Sequence, residues 1–259
     1  MTGDGYDEIS ARRYARVESR PDSFSLRLAP RIQRLFERGR EVGSDIAPTM
    51  LDIGCGTGQL TDHFRQSGYI TVGVDRSSAM LRHRIAHRSG HRGAVATADA
   101  AHLPLVGRFD LITATFNVIN HLPDKRSVAS LISEVGRLLE SDGLFVFDIN
   151  TKLGLTRTAG LVEIFSAAEE YTVWTRHWSG EQLILDADGS FVDDDVRYRY
   201  HERITKLVVQ VSEIDQWCVS AGLSAPSWRS DDLVTPLQDP EQEATAYGIV
   251  LGAETGKSS

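Results

Sequence analysis

The chain has 259 residues, 41% hydrophobic and 25% charged, the composition of a globular protein with enough apolar material to fold unaided. Twenty-eight Lys and Arg against 36 Asp and Glu leave a formal charge of −8, which disfavours nucleic acid and anionic membranes as partners because both call for a basic face. No apolar run approaches the ~20 residues of a membrane span, the charged opening MTGDGYDEISARRYARVESR carries no export signal, and the distant pair Cys55 and Cys218 builds neither a disulfide framework nor a structural zinc site; the expected compartment is the cytoplasm.

Residues 1–45 read as a mainly helical cap. From Thr49, short β-rich runs alternate with helical patterns: TMLDI then GQLTDHFRQSG, YITVGVD then SSAMLRHRIAH, AVATAD, FDLITATF then SVASLISEVGRLLE, and LFVFDIN. This alternation predicts an α/β core over 46–150, a parallel sheet covered by helices on both faces. In Ser127–Glu140 the apolar positions Val128, Leu131, Ile132, Val135, Leu138 and Leu139 share one face, and Gly143 is placed to end that helix in a left-handed turn. After Asn150, YTVWTRHWS, EQLILDADGSFV and VRYRYHERITKLVV alternate and are separated by Ser-Gly and by an acidic turn, predicting an antiparallel insertion over 151–212. EIDQWCVSAGL returns to helical period and TAYGIVLGAE closes as a strand, so 213–254 completes the core and 255–259 forms a loose polar tail.

The sharpest local signal is LDIGCGTGQL, a strand running through Gly54-Cys55-Gly56-Thr57-Gly58 into a helix. Glycine supplies unusual dihedrals there and lets a ligand approach bare backbone. The next strand ends at Asp75, 21 residues after Gly54, near the ~20 expected of an acid that accepts ribose hydroxyls. Gln59 stands where a dinucleotide fingerprint calls for Gly or Ala, and the Lys of a phosphate loop is missing, so a ribose is favoured over a pyrophosphate. A third strand ends in DAAHLP, where Asp99 can accept a hydrogen bond from an exocyclic amine.

In this order, LDIGCGTG, the acid of VDRS, DAAHLP, and FDLITATFNVINHL followed by LLESDGLFVFDIN resemble the class I S-adenosylmethionine-dependent methyltransferases over about residues 48–150. The resemblance implies a Rossmann-like, mostly parallel seven-stranded sheet with helices on both faces, here with the N-terminal helical cap and the inserted antiparallel sheet. It implies S-adenosyl-L-methionine as cofactor: Gly54, Gly56 and Gly58 at the methionine part, Asp52 near its ammonium, Asp75 at the ribose, Asp99 and Ala100 at the adenine, and Cys55, Arg76, Met80 and Phe116 around them. Carboxylates in the cleft suit a cationic sulfur. Asp52 can alternatively cap local backbone, and Cys55 can simply fill space beside the loop.

Methyl transfer is an in-line displacement governed by positioning, with a base needed where the acceptor carries a proton. His121, in Phe116-Asn117-Val118-Ile119-Asn120-His121-Leu122, lies just past the fourth strand and is the leading base; the alternative is a cap on the following helix. Tyr14 and the NHL segment are similar to those of aminodeoxysugar N-methyltransferases from antibiotic pathways, which implies that Tyr14 and His121 face an acceptor amine. Tyr14 can equally be an ordinary core residue of an amphipathic helix. Asn117 and Asn120, with Trp174, Arg176, Trp178, Tyr198 and Arg199 of the insertion, are expected on the acceptor side, the aromatics serving alternatively as a homodimer surface or a self-packed core. His83 and His87, four apart in a basic island, read as a solvated helix end, and Asp193-Asp194-Asp195 as a turn, so no metal is assigned. The expected partner is a small-molecule acceptor, with a tRNA or protein methyltransferase, or a non-catalytic cofactor-binding protein, as alternatives.

Overall fold

The computed structural model describes residues 6–20, 22–39, 46–83 and 94–252. Two helices come first: α1 (Glu8–Glu18), opened by Asp7, whose carboxylate accepts the Ser10 N–H at 2.9 Å, and α2 (Phe24–Arg38), opened by Ser23. These side-chain oxygens satisfy N–H groups that a first helical turn leaves without carbonyl partners. Strands and helices then alternate as the apolar periodicity predicts: β1 (Thr49–Ile53), α3 (Gln59–Gln66), β2 (Ile70–Asp75), α4 (Ser78–Arg82), β3 (Ala94–Thr97), β4 (Phe109–Ala114), α5 (Lys125–Leu138) and β5 (Leu139–Asn150). The expected continuation of α4, including His87, lies outside the described residues, as does the tail 255–259.

After β5 come α6 (Lys152–Thr158), then β6 (Val162–Ala167), β7 (Glu170–Ser179), β8 (Gln182–Asp193) and β9 (Val196–Leu207), an antiparallel meander in that order. The acidic run does form the β8–β9 turn, with Asp194 and Asp195 at φ 49° and 60°. Helix α7 (Val211–Ser220) leads to β10 (Ser227–Arg229) and β11 (Thr245–Leu251).

Seven strands form one sheet in the order β10-β11-β5-β4-β1-β2-β3, and only β11 runs against its neighbours. Helix α5 buries its predicted face against Leu51, Ile53, Ile112, Phe145 and Phe147; α2 and α3 cover the other face, packing Ile32, Phe36, Leu60 and Phe64 on Met50, Leu111 and Val146. Covering both faces explains why these strands are apolar on successive residues. The exit from α5 departs from expectation: Leu139 is already extended and opens β5, and Gly143 lies within a bulge of that strand, where a Cβ would sit 2.9 Å from the Glu140 carbonyl oxygen.

Candidate active site

Strand order reverses between β1 and β4, and an α/β sheet opens its ligand crevice at the carboxyl ends of the strands flanking such a point. A cavity of about 770 Å³ lies there, walled by the turns after β1, β2, β3 and β4 and closed by the N-terminal segment. Of the residues singled out in the sequence, Gly54, Gly56, Asp75, Arg76, Met80, Asp99, Ala100, Phe116, His121 and Tyr14 line it.

The β1 turn is left-handed at Gly54 (φ 70°) and Gly56 (φ 54°), and a Cβ on Gly54 would fall 2.4 Å from Val118 Cγ2. Only glycine leaves bare backbone at such a place without strain. Gly58 (φ 86°) is the residue from which α3 starts and does not itself reach the cavity. The Asp75 carboxylate accepts the Gly56 N–H through Oδ2 and the Ser77 N–H through Oδ1, both at 2.8 Å, leaving a lone pair on each oxygen. Asp99 Oδ1 accepts the Ala101 N–H at 2.9 Å.

Asp52 is displaced from its expected place. It lies wholly buried under the glycine turn, accepting the Thr61 hydroxyl at 2.9 Å and the Thr113 hydroxyl at 2.8 Å, and burial pushes its pKa up to about 6. It therefore ties α3 and β4 to β1 and does not line the cavity. Cys55 is buried with its sulfur against Gly73 of β2, where a Cβ would come within 2.9 Å of Sγ.

Four strand ends around one cavity form the frame for an adenosyl ligand, and the methyltransferase domain family matches residues 20–191 of this chain. The chain belongs to that family. Over 191 residues it is 25% identical to a methyltransferase-like protein of Geobacillus sp. (strain WCH70), covering 71% of this chain and 77% of the relative. Its fold is similar to that of an S-adenosylmethionine-dependent methyltransferase from Clostridium acetobutylicum ATCC 824, with a TM-score of 0.82 at 18% identity over 93% of this chain and 98% of that one. It is also similar to the sugar N-methyltransferase KedS8 from Streptoalloteichus sp. ATCC 53650, with a TM-score of 0.73 at 19% identity over 98% and 96% of the two chains.

Where the N-terminal segment closes this methyltransferase's cavity, Tyr6 and Tyr14 stand with His121. The Tyr6 ring meets His121 edge-on at 5.9 Å and Tyr14 at 6.4 Å, and Tyr14 meets Phe116 at 6.5 Å. Burial, reinforced by the charges of Lys206 and Arg76, lowers the His121 pKa to about 3, so the imidazole is neutral near pH 7. Burial also raises both tyrosines well above their ordinary value, keeping their hydroxyls protonated donors. Tyr6 escaped notice in the sequence because a lone aromatic next to a helix-starting Asp has no periodic partner.

The acceptor wall is where expectation and structure part. Asn117 and Asn120 do not line the cavity: Asn117 donates its main-chain N–H to Asp148 at 3.1 Å, and Asn120 is fully buried, bonded to Asn150 and to the Leu207 carbonyl. The insertion does supply a wall, but through Gln182 and Arg203 to Thr205, not through Trp174, Arg176, Trp178, Tyr198 or Arg199. Strand β9 borders the cavity while β7 lies two strands away, which removes Trp174, Arg176 and Trp178. Tyr198 stacks on Phe191 at 5.3 Å at the turn end of the β8–β9 hairpin, roughly 20 Å along the strand from Thr205. Arg176 pairs with Glu163 beside Trp174, and Arg199 is exposed. His83, from the basic island, bonds Glu8 at 2.6 Å.

Proposed function

We propose that this methyltransferase uses S-adenosyl-L-methionine to methylate a nitrogen or oxygen of a small-molecule acceptor, such as a nucleotide-linked amino sugar of secondary metabolism. The observation that carries this reading is the single cavity joining the glycine turn, Asp75 and Asp99 to a pocket that holds a neutral imidazole. Gly54 and Gly56 suit the methionine part, Asp75 the ribose hydroxyls, and Asp99 with Ala100 the adenine. When bound, the cofactor supplies an electrophilic methyl on a cationic sulfur.

The chain's own residues then have three tasks. Phe116, Val118, Leu122 and Ile204 exclude water, which strengthens electrostatic interactions inside the site. Tyr6 and Tyr14 close the cavity and orient the acceptor by donating hydrogen bonds. His121, unprotonated, faces the proton that the acceptor nitrogen or oxygen releases; with burial holding its resting value at about 3, it takes that proton only where the bound acceptor stabilises the imidazolium. Sugar N-methyltransferase KedS8, similar over nearly the whole chain, supports the small-molecule class.

Calorimetry with S-adenosylmethionine and S-adenosylhomocysteine, followed by transfer of a radiolabelled methyl group to a panel of amino sugars and hydroxylated small molecules, tests this reading. Tight uptake of both nucleosides and label in one acceptor class is expected. Uptake with no label in any small molecule, or label found only in tRNA or protein, overturns it.

A further inference from the structure

The wall that the insertion gives the cavity carries a cation to which the methyl-transfer reading assigns nothing. Strand β9 is an edge of the four-stranded sheet, and its two faces meet different surroundings. On one face Tyr198 and Tyr200 lie under Arg12 and Arg13 of α1, each guanidinium 5.0 Å from its ring. On the other face Arg197, Arg199, His201 and Arg203 follow at alternate positions, all exposed, because side chains two apart along a strand point the same way. Thr205 continues this face, and Gln182, opposite Leu207 in the register, belongs to it as well. Arg203, Thr205 and Gln182 all line the cavity, so the row of cations starts there and runs along β9 toward the β8–β9 turn.

Arg203 donates from Nε to Oδ1 of Asp186, directly across on β8, at 2.6 Å. The carboxylate side chain is 14% exposed and the arginine 51%, so the anchor is set in the sheet while the guanidinium stands out from it. Its two terminal nitrogens bond nothing among the described residues. An exposed ion pair adds little to stability, so the fold does not account for an arginine at this place. A guanidinium held by Nε still presents a planar pair of N–H donors, the shape that matches two oxygens of one phosphate or carboxylate. Farther along, His201 bonds Asp188 at 2.9 Å and Arg197 bonds Ser190 at 3.0 Å, while Arg199 has no partner among the described residues. Three arginines against Asp186 and Asp188 make this face cationic in a chain of formal charge −8, and a local excess of that kind draws anions toward it. The acids of the cavity, Asp75 and Asp99, belong to the ends of β2 and β3, with Arg76 next to the first; Asp186 stays behind Arg203 and does not line the cavity.

We propose that Arg203 is a specificity-determining residue of the acceptor site: its guanidinium, aimed by Asp186, grips a phosphoryl group of the methyl acceptor, whose reacting nitrogen or oxygen lies farther in the cavity. A phosphoryl group is favoured over a single carboxylate because the cationic row attracts the more highly charged anion most strongly. Arg199, outside the cavity, adds its charge to that field. This role rests on the β9 side of the cavity being the acceptor's place; an acceptor without a phosphoryl group leaves the guanidinium unmatched and binds more weakly.

The test is calorimetric titration of inorganic pyrophosphate into the full chain, with and without saturating S-adenosylhomocysteine, beside malonate as a carboxylate probe. With the nucleoside present, pyrophosphate should bind with a dissociation constant of about 1 mM or tighter. Arg203→Gln should weaken it about tenfold or more, the scale of one charge-assisted pair of hydrogen bonds, with S-adenosylhomocysteine affinity nearly unchanged. Arg203→Lys keeps the charge and loses the planar fork, and should weaken it too. Arg197→Gln, roughly 20 Å along the strand, should leave it as it is. Absence of pyrophosphate binding, an affinity unaltered in either Arg203 variant, an equal loss in Arg197→Gln, or malonate bound as tightly overturns the proposal. Two substitutions at Arg203 and the wild-type comparison with malonate keep it refutable should one variant fail to fold. Because pyrophosphate is titrated without the nucleoside as well, a failure to bind S-adenosylhomocysteine is read separately from a failure of the phosphoryl site.

Discussion

Asp52 shows how one buried carboxylate couples stability to pH. Held by Thr61 and Thr113 and cut off from water, it keeps its proton up to about pH 6, whereas an unfolded chain releases it near the ordinary value of about 4. Between those values the native state binds the extra proton, so this group's contribution to stability is whole below about pH 4 and is lost as pH rises to about 6. Asp52→Asn removes that loss: relative to wild type, the variant should gain about 3 kcal/mol between pH 4 and pH 7, read from urea unfolding at both values. A difference independent of pH would show that Asp52 ionises freely. His121 works in the opposite direction, since its folded value lies below the unfolded one and stability is lost as pH falls below about 6.5 toward 3. As the base, it also predicts kinetics. His121→Gln should lower turnover by about 10²–10⁴-fold with S-adenosylhomocysteine affinity nearly unchanged by calorimetry, and full turnover would leave it a structural residue.

Among the elements, α1 decides how the cavity is closed. Arg12 pairs with Asp193 at 2.8 Å, Arg13 with Glu170 at 2.9 Å and Arg16 with Glu169 at 2.8 Å, fastening the helix that carries Tyr14 to the antiparallel sheet. Exposed pairs of this kind contribute little, but Glu170 is only 5% exposed, and losing Arg13 leaves it with Arg20 at 3.7 Å. Arg13→Met should therefore cost about 1–3 kcal/mol in urea unfolding and weaken S-adenosylhomocysteine about tenfold as Tyr14 loses its seat. Lost stability with unaltered affinity would separate the anchor from the pocket. The three long strands of that sheet were legible from alternation and turn residues. β6 was not: VEIFSA is exposed along its whole length and, among the described strands, pairs with β7 alone, so no buried face patterns it. β10 is three residues long, too short to carry any period.

For the whole molecule, the cavity lies between the seven-stranded sheet, the N-terminal segment and the antiparallel sheet, so an occupant is gripped by parts that separate on unfolding. A ligand that binds only the folded chain stabilises it by mass action. S-adenosylhomocysteine at a hundred times its dissociation constant should raise unfolding free energy by about 2.7 kcal/mol, measured by urea unfolding with and without it, whereas NAD should leave it unchanged. Absence of that shift despite measured binding would mean that the nucleoside also binds unfolded chain. No described helix is long and apolar enough to cross a membrane.

The amino-acid order by itself determined the alternating core, the glycine turn and the acids at the ends of β2 and β3, because each is a local matter: a period, a tight turn, a residue one strand away. It could not assign Asp52 or the acceptor wall, since an acid beside a turn looks the same whether it faces a ligand or two threonines. Tertiary structure decided which strand of the insertion borders the cavity and which asparagines are buried. The bond from Asn120 to Leu207 spans 87 residues and that from Lys206 to Asn117 spans 89, and contacts so remote depend on sheet order and strand register, which no local pattern encodes.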